Sequence, residues 1–349
     1  MDERLRPEAK LPAPGQFKRK TLSFSQEELV KAGYLHDAQR LPLVIRPAGE
    51  GISLAAWAED SREYIGRELL GHGAILFRDF MIDSPARFEQ FVRAVSPGIL
   101  DYNERSSPRS EISRGVYTST NHPPDQHIHL HNEQSYARSW PMKLWFFCLQ
   151  PPAAGGRTPI ADGRRVLSLI DPKIRERFAE KRVLYVRNYG DGFGLSWQIA
   201  FQTESKAEVE DYCRRAGIAF EWKGNDRLRT RQLFDAVETH PATGEKVWFE
   251  HAVFFHVSSI EPNVRAALLA EFKEEDLPSN TYYGDGSPIE PSVLDEVREA
   301  YRAATVSFPW RERDVLLIDN MLVSHGREPY SGPRQILVIM SELHARANN

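Results

Sequence analysis

The sequence predicts a mixed α/β protein with a mainly β core, a double-stranded β-helix (jelly roll) with flanking and inserted helices. Many short strand-like stretches follow residue 113, with turn residues between them. This pattern is typical of sandwiches and barrels rather than of a parallel doubly wound sheet. No internal repeat, low-complexity tract or clear linker divides the 349 residues. We therefore expect one domain, long enough to bury a substantial core.

The chain begins with a charged, proline-bearing stretch, residues 1–20, which we expect to form an N-terminal arm. The rest, 21–349, is predicted to be a single jelly-roll domain with an inserted helical and lid region at about 188–245. At the start of this domain, Ser25-Gln-Glu-Glu28 is a capping-box pattern. It predicts a short helix that ends near Gly33.

Apolar periodicity and end signals predict the remaining elements in order. A helix at 54–70 is followed by a strand at 74–80, and Ser84-Pro85 then offers an N-cap and a proline at the first helical position. Further helices are predicted at about 165–181, 206–215, 261–274 and 291–303. Further strands are predicted at about 143–149, 183–187, 218–222, 246–255, 315–319 and 335–341.

Composition and charge are ordinary for a soluble globular protein, with 41% hydrophobic and 27% charged residues. The formal charge of −4 gives no electrostatic basis for binding nucleic acid or an anionic membrane. The two cysteines, Cys148 and Cys213, cannot build a disulfide framework. Residues 1–20 lack the apolar core of a signal peptide, and no apolar stretch approaches the ~20 residues of a membrane-spanning helix. We therefore expect a cytoplasmic protein.

The densest polar cluster of the sequence lies between Asn121 and Glu133. It holds four of the eleven histidines, namely His122, His127, His129 and His131. On an extended strand alternate side chains share a face, so His131 and Glu133 would point the same way and could both bind one metal ion. Two histidines and one carboxylate form a facial triad that leaves coordination positions open for oxygen and a cosubstrate.

The third ligand must come from elsewhere in the chain, and His325 is the best candidate. It follows the apolar strand predicted at 315–319, and a jelly roll brings such distant strands side by side. Arg334 comes nine residues later. An arginine there can hold a carboxylate with its planar fork of N–H groups, a task that arginine performs better than lysine.

With these residues together, the chain resembles the taurine dioxygenase (TauD/TfdA) family of Fe(II)/2-oxoglutarate oxygenases. The resemblance covers about residues 70–343. It depends on the His131-Asn-Glu133 motif, Gly155-Gly-Arg-Thr158, Ala161-Asp162, His325 and Arg334. It implies that His131, Glu133 and His325 bind Fe(II), that Thr158 and Arg334 bind 2-oxoglutarate, and that O2 is the oxidant. Hydroxylation of an unactivated C–H bond is the implied reaction, and desaturation or ring formation would use the same site.

Within the family, the glutamate ligand is similar to the branch that contains clavaminate synthase and the amino-acid hydroxylases. Arg105–Arg109, Val116–Thr120 and His131–Tyr136 resemble the branch of the syringomycin-biosynthesis hydroxylase. This implies an amino-acid-like substrate, in some relatives attached to a peptidyl carrier protein, in secondary metabolism such as antibiotic biosynthesis. One departure is Trp248-Phe-Glu-His251, which stands where Asn-Gln is expected in that branch.

Residues that would bind the substrate have weaker signals in the sequence. Asn121 lies near the ligand motif, and Arg109 or Arg114 could bind a substrate carboxylate or amide, although both arginines could equally be solvated surface charges. Trp197 lies in a glycine-containing stretch that could form a lid. The alternative is that Trp197 belongs to the core and the glycines only make turns.

Two other interpretations remain open. A cupin-like metalloenzyme would bind its metal through His129, His131, Glu133 and His325 without 2-oxoglutarate, which leaves Thr158 and Arg334 unused. A non-catalytic jelly-roll binding protein would keep the metal residues only as structural groups. The oligomeric state is not predicted.

Overall fold

The computed structural model describes residues 26–101, 111–113, 115–119, 122–190 and 194–346. The predicted arm, 1–20, lies outside these residues. The strands are β1 (Val30–Gly33), β2 (Leu43–Pro47), β3 (Ala74–Phe77), β4 (Glu111–Ser113), β5 (Val116–Thr118), β6 (Ile128–His131), β7 (Ser139–Gln150), β8 (Ala154–Gly155), β9 (Ile160–Asp162), β10 (Val183–Tyr189), β11 (Ala219–Lys223), β12 (Arg227–Phe234), β13 (Val237–Thr239), β14 (Lys246–Trp248), β15 (Ser279–Tyr283), β16 (Thr305–Val306), β17 (Val315–Asp319), β18 (Val323–Arg327), β19 (Tyr330–Ser331) and β20 (Gln335–Ala345).

The helices lie between these strands and on the faces of the sheets. They are α1 (Leu54–Asp60), α2 (Arg62–His72), α3 (Pro85–Val95), α4 (Gly163–Leu169), α5 (Pro172–Lys181), α6 (Trp197–Phe201), α7 (Lys206–Ala216), α8 (Ala252–Phe255), α9 (Pro262–Glu271) and α10 (Pro291–Ala304), with short 3₁₀ turns at Gln26–Leu29, Val257–Ser259 and Glu274–Asp276. No helix in the described part of the chain is long and apolar enough to cross a membrane.

The largest layer is an eight-stranded main sheet, in the order β1-β2-β3-β17-β7-β20-β5-β4. Its central strands are buried on both faces. Trp145 and Phe147 face a cluster with Phe88 and Phe91 of α3, whereas alternate residues such as Phe146 face the opposite layer. Burial on both faces explains why β7 and β17 appear in the sequence as continuous apolar runs rather than as alternating patterns.

A smaller sheet, in the order β16-β9-β18-β6, packs against the inner face of the main sheet. Ile160 of β9 and Val323 of β18 share one buried cluster with Phe146 and Leu316 of the main sheet. Two facing sheets, antiparallel except for the β2–β3 pair, around one apolar core are the layers of a jelly roll. The predicted fold class is confirmed.

A separate four-stranded sheet, β11-β12-β10-β15, lies beside this core together with α6 and α7. The predicted inserted region, about 188–245, contributes β11, β12 and the end of β10 to this sheet, whereas β15 lies outside the predicted limits. The described part of that region contains strands as well as helices, and its status as an insertion stays a prediction. The movement of this region as a lid stays a prediction.

Two local predictions are wrong. The capping box predicts a helix to Gly33, but only a 3₁₀ turn forms and Val30–Gly33 pairs with β2. The strand predicted at 246–255 ends at Trp248, because the buried Glu250 carboxylate accepts the N–H groups of Ala252 and Val253 and so begins α8. Pairing with β2 outweighs the local sequence pattern in the first case, and the contacts of the Glu250 carboxylate outweigh it in the second.

The other predicted elements are confirmed, two of them as broken helices. The helix at 54–70 divides at Ser61 into α1 and α2. The helix at 165–181 divides at Asp171, which caps a new helix whose first residue is Pro172. Proline is favoured at the first position of a helix, where its missing N–H has no partner to lose.

Candidate active site

Two histidines of the predicted iron site face each other across neighbouring strands. His131 ends β6, His325 lies within β18, and the register of the antiparallel strands pairs these two residues directly. Directly paired residues hold their side chains on the same face, with Cβ atoms about 5 Å apart. The two imidazole rings accordingly lie 4.4 Å apart between centroids. The β pairing thus joins two residues that are distant in the sequence.

Glu133, the third predicted donor, lies in a turn rather than in a strand. β6 ends at His131, so the strand alternation that predicts a shared face for Glu133 does not operate here. The chain instead turns through Gln134, which has a left-handed φ of 57°, and Glu133 is buried. Donor atoms of His131, Glu133 and His325 all lie within 4.8 Å of one another. Among the described residues, these three form the one cluster of histidine, cysteine or carboxylate side chains that could hold a metal ion.

These residues fit an iron ion. Two imidazoles and a carboxylate are the donor set of the facial triad. Nδ1 of His131 lies 2.8 Å from the carbonyl oxygen of His129. Because a carbonyl oxygen only accepts, Nδ1 carries the hydrogen, and Nε2 is then the nitrogen of His131 that could bind a metal.

Thr158 and Arg334 line the same cavity as the three donors. Arg334 donates from Nε to the Gly156 carbonyl oxygen at 3.1 Å and from a terminal nitrogen to Ser119 Oγ at 3.2 Å. Thr158 Oγ1 accepts a hydrogen bond from Nε1 of Trp310 at 3.1 Å. Its own hydroxyl hydrogen is then available to donate to a ligand.

The Arg334 guanidinium suits an anionic ligand. In the described part of the chain its polar contacts are a carbonyl and a hydroxyl, without a carboxylate. Burial first, and then repulsion from Arg327, lower the pKa of Arg334 to about 10, so it is cationic at neutral pH. A partly buried cation without a counter-ion is stabilised by a ligand carboxylate, which the planar guanidinium can hold with two parallel bonds. These residues therefore also fit 2-oxoglutarate.

The cavity above the donors has a volume of about 740 Å³. Phe146, Ile336 and Val338 form an apolar wall from the main sheet, and Phe254 and Ile260 belong to the lining as well. Ligand sites are commonly 300–1,000 Å³, with apolar walls and a few polar groups. The space is sufficient for 2-oxoglutarate together with a small substrate.

His251 is a cavity residue that the sequence analysis did not choose. It is 2% exposed, and its Nδ1 lies 3.1 Å from Ser135 Oγ. Nε2 has no hydrogen-bond partner among the described residues. Burial lowers the pKa of His251 well below its ordinary value, so the ring is neutral. The departure noted at Trp248-Phe-Glu-His251 was the sequence signal that could have identified it.

Arg327 is a second missed residue of the cavity lining. It is 4% exposed and donates to the carbonyl oxygens of His122, Pro123 and Gln126. It therefore ties the segment 122–126 to β18. Its position two residues after His325 was the available signal, because alternate residues of a strand share a face.

The structure does not bring every predicted substrate residue to the cavity. Trp197 is buried in a separate cluster beside the four-stranded sheet, where its Nε1 donates to the Asp226 carbonyl oxygen at 3.1 Å. It lies within the core, the alternative left open above. Asn121, Arg109 and Arg114 lie outside the described residues.

The family model "Taurine catabolism dioxygenase TauD, TfdA family" matches residues 38–340. The chain belongs to this family. The TauD/TfdA match begins before residue 70, the start of the resemblance seen in the sequence, and covers most of the chain.

Two curated relatives of this TauD/TfdA chain are similar over most of their lengths. The dapdiamide synthesis protein DdaC of Enterobacter agglomerans is 44% identical over 268 residues, 77% of this chain and 82% of DdaC. A clavaminate synthase-like protein of Arabidopsis thaliana is 29% identical over 320 residues, 86% of this chain and 94% of the relative.

Solved structures support the same fold. PvcB of Pseudomonas aeruginosa, described as an Fe, alpha-ketoglutarate dependent oxygenase from an isonitrile synthetic pathway, gives TM-scores of 0.55 and 0.54 in two structures. It is 15% identical, with 91% of this chain and 93% of PvcB covered. A putative alpha-ketoglutarate dependent 2,4-D dioxygenase from Burkholderia xenovorans gives 0.52 at 15% identity, covering 89% and 96%.

The TauD/TfdA protein is a 2-oxoglutarate-dependent non-haem iron dioxygenase, and it uses Fe(II), 2-oxoglutarate and O2. The cupin-like interpretation and the non-catalytic interpretation are therefore wrong. The geometry agrees with this outcome, because His129 is not among the clustered donors, whereas Thr158 and Arg334 line the cavity.

Proposed function

We propose that this dioxygenase hydroxylates an unactivated C–H bond of an amino acid or amino-acid-derived substrate, free or attached to a peptidyl carrier protein, in secondary metabolism. In this proposal His131, Glu133 and His325 hold the iron, and Thr158 and Arg334 hold 2-oxoglutarate. The main support is one observation: three donor atoms converge within 4.8 Å in a cavity that also presents the Arg334 guanidinium.

The names of two relatives support the pathway class. DdaC is named for dapdiamide synthesis and PvcB for an isonitrile synthetic pathway, so both belong to biosynthesis rather than to catabolism. A role in antibiotic biosynthesis, a carrier-protein partner and a cytoplasmic location remain predictions from the sequence. The same holds for Asn121, Arg109 and Arg114 as substrate contacts.

Bound iron would supply oxygen activation coupled to decarboxylation of 2-oxoglutarate, the chemistry that hydroxylation of an unactivated C–H bond requires. The residues of the chain orient the reactants. Arg334 pairs with the far carboxylate of 2-oxoglutarate, and the Thr158 hydroxyl donates to it, while Trp310 fixes the Thr158 oxygen from behind. The apolar wall around Phe146 excludes water from the reacting carbon.

The cosubstrate site is tested by anaerobic titration of metal-free protein with Fe(II) and then with 2-oxoglutarate. A weak visible band near ~500 nm is expected, as for an iron centre with open positions that binds a chelating oxoacid. Arg334→Ala should raise the Kd for 2-oxoglutarate about 10- to 100-fold, the loss of a charge-assisted, bidentate pair. The band itself should return at high 2-oxoglutarate, because the metal ligands are intact.

Arg346→Ala is the matched control, since Arg346 follows the other end of β20 and pairs with Glu238 at 2.8 Å, away from the cavity lining. It should lower stability and leave the Kd for 2-oxoglutarate unchanged. An unaltered Kd in Arg334→Ala would remove Arg334 from the cosubstrate site. Absence of any band in iron-loaded wild-type protein would overturn the proposed binding mode.

The substrate class is tested with free L-amino acids and with the same amino acids as phosphopantetheine thioesters. A substrate should stimulate succinate formation and gain the mass of one oxygen atom. Stimulation by thioesters alone would indicate a carrier-bound substrate, and stimulation by free amino acids would indicate a free one. If neither set raises succinate formation above its basal rate, the proposed substrate class is wrong.

A further inference from the structure

Asn320 lies fully buried in the turn between β17 and β18. Its side chain bonds to both main-chain polar groups of Glu133. Asn320 Oδ1 accepts the Glu133 N–H at 2.8 Å, and Asn320 Nδ2 donates to the Glu133 carbonyl oxygen at 2.9 Å. The second hydrogen of Nδ2 goes to the carbonyl oxygen of Pro141, also at 2.9 Å.

The main chain of Asn320 contacts the same neighbouring segment. Its N–H donates to the Met142 carbonyl oxygen at 2.8 Å, and its carbonyl oxygen accepts from Nδ2 of Asn132 at 2.6 Å. One buried residue thus makes five hydrogen bonds to the segment 132–142. Both donors of the carboxamide are used, and its oxygen has a partner.

These bonds replace a missing β ladder. Glu133 follows the end of β6, and no strand in the described part of the chain pairs with its main chain. His325, in contrast, is held within β18 by its pairing with β6 and β9. The Asn320 carboxamide therefore connects Glu133, the candidate ligand that lies outside a strand, to the turn between β17 and β18. That turn leads into β18, which carries the candidate ligand His325.

The turn itself is held independently of the Asn320 side chain. Asp319 Oδ1 accepts the N–H groups of Met321 and Leu322, both at 3.0 Å. Its other oxygen lies 3.1 Å from Nε2 of His240. His240 Nδ1 accepts from the N–H of Thr243, so Nε2 carries the hydrogen and donates to Asp319. Removal of the Asn320 carboxamide should consequently release Glu133 rather than the turn.

We propose that Asn320 is a positioning residue of the iron site: its carboxamide fixes the main chain of Glu133 and thereby places the Glu133 carboxylate opposite His131 and His325. The inference rests on the proposed function, in which Glu133 is the carboxylate ligand. Groups that orient metal ligands typically change metal affinity 10- to 100-fold when they are removed.

Asn280 provides a matched control for the general cost of losing a buried carboxamide. It is 2% exposed, its Oδ1 accepts the Val257 N–H at 3.0 Å, and its Nδ2 donates to Glu274 Oε1 and to the Tyr282 hydroxyl at 2.8 and 3.0 Å. Asn280 therefore makes the same number of side-chain bonds, but none to the candidate ligands.

The experiment compares Asn320→Ala with Asn280→Ala as full-length, metal-free proteins. Both should melt at lower temperature than the wild type. Anaerobic calorimetry with Fe(II) should show a Kd about 10- to 100-fold higher in Asn320→Ala and a wild-type Kd in Asn280→Ala. The proposal is overturned if the two variants bind Fe(II) equally well, because the carboxamide would then serve stability alone.

Two further measurements keep the test decisive. If Asn320→Ala does not fold, Asn320→Ser takes its place, and amide hydrogen exchange in metal-free wild-type protein must show the Glu133 N–H protected. Rapid exchange at that amide would contradict the proposal.

Glu133→Ala separates two hypotheses, that Glu133 is an iron ligand and that Asn320 positions it. Wild-type iron binding in this variant overturns the ligand assignment together with the role of Asn320. Loss of iron in Glu133→Ala but not in Asn320→Ala overturns the positioning role only.

Discussion

His129 and His131 lie two positions apart in β6, yet only His131 lies within reach of Glu133 and His325. The pairing of β6 with β18 explains the difference. His325 is opposite His131, but the register shifts before the next pair, Arg327 with Ile128. The bulge removes His129 from the ladder, and its side chain is exposed. His131 is therefore expected to bind the metal, whereas His129 is not.

At this scale we predict that His131→Ala and His325→Ala each abolish stoichiometric iron binding. Each variant removes one of three donors, and two donors do not hold Fe(II) in a facial site against water. His129→Ala is the control and should keep one iron per chain. Metal analysis after anaerobic loading and desalting measures the result. Stoichiometric iron in His131→Ala, or its loss in His129→Ala, would contradict the ligand assignment.

Among the elements, the 3₁₀ turn Val257–Ser259 depends on a histidine that caps it. Nδ1 of His256 accepts the Ser258 N–H at 3.1 Å, so this nitrogen must be unprotonated. Burial, followed by repulsion from Arg298 and Arg265, lowers the pKa of His256 to about 4. Protonation would cost the cap a hydrogen bond and add a third positive charge.

The sign of the pH effect follows from this lowered pKa. The unfolded state, in which histidine titrates near 6.5, binds the proton more readily than the folded state does. The contribution of His256 is therefore present above pH 6.5 and is lost as the pH falls toward 4. After solvent screening we expect a loss on the order of 2 kcal/mol in the free energy of unfolding.

Urea denaturation of metal-free protein at pH 7.5 and pH 5 measures this effect. His256→Asn is the informative variant, because the Asn side-chain oxygen can accept the same N–H but does not titrate. Its free energy of unfolding should fall less between the two pH values than that of the wild type. An identical fall in both proteins would show that His256 does not contribute.

In the whole molecule, the cavity is built by both sheets of the jelly roll. His131 and His325 come from the smaller sheet, whereas Phe146 and the residue preceding β20, Arg334, come from the main sheet. A metal ion and 2-oxoglutarate held by these residues, as proposed, would join the two layers. Ligands that bind only the folded state stabilise it by mass action.

We therefore predict that Mn(II), which does not start turnover, raises the Tm, and that 2-oxoglutarate raises it further. A ligand at 100 times its Kd contributes about 2.7 kcal/mol, which corresponds to several degrees. In Arg334→Ala the Mn(II) increment should remain and the 2-oxoglutarate increment should shrink. Equal increments in both proteins would place the 2-oxoglutarate carboxylate elsewhere.

Much of the architecture could be predicted from local patterns. The apolar runs of β7, β17 and β20, and the helices α3 and α10, which both begin with a proline, are strongly predicted because burial and end signals agree along a continuous stretch. Strands such as β12, Arg227–Phe234, were not predicted. Their polar residues are paired and buried only by neighbours that lie far away in the chain.

The residues of the candidate site also fall into those that the sequence could predict and those that it could not. His131, Glu133, His325 and Arg334 could be chosen from residue type and spacing, because metal and carboxylate chemistry restricts which side chains can serve, whereas Thr158 was implied by the resemblance to the family. His251, Arg327 and Asn320 could not be chosen so, since their importance depends on which carbonyl, hydroxyl or main-chain group lies beside them.

By itself the sequence determined the fold class and pointed to His131, Glu133, His325 and Arg334 as candidate site residues, because apolar periodicity and donor type are properties of the chain. The tertiary structure alone decided how Glu133 reaches the two histidines. Strand alternation ends at His131, and the carboxylate is placed instead through hydrogen bonds from Asn320, a residue of the opposite turn. Such bonds join segments distant in the chain, and their geometry exists only when the two sheets have packed together.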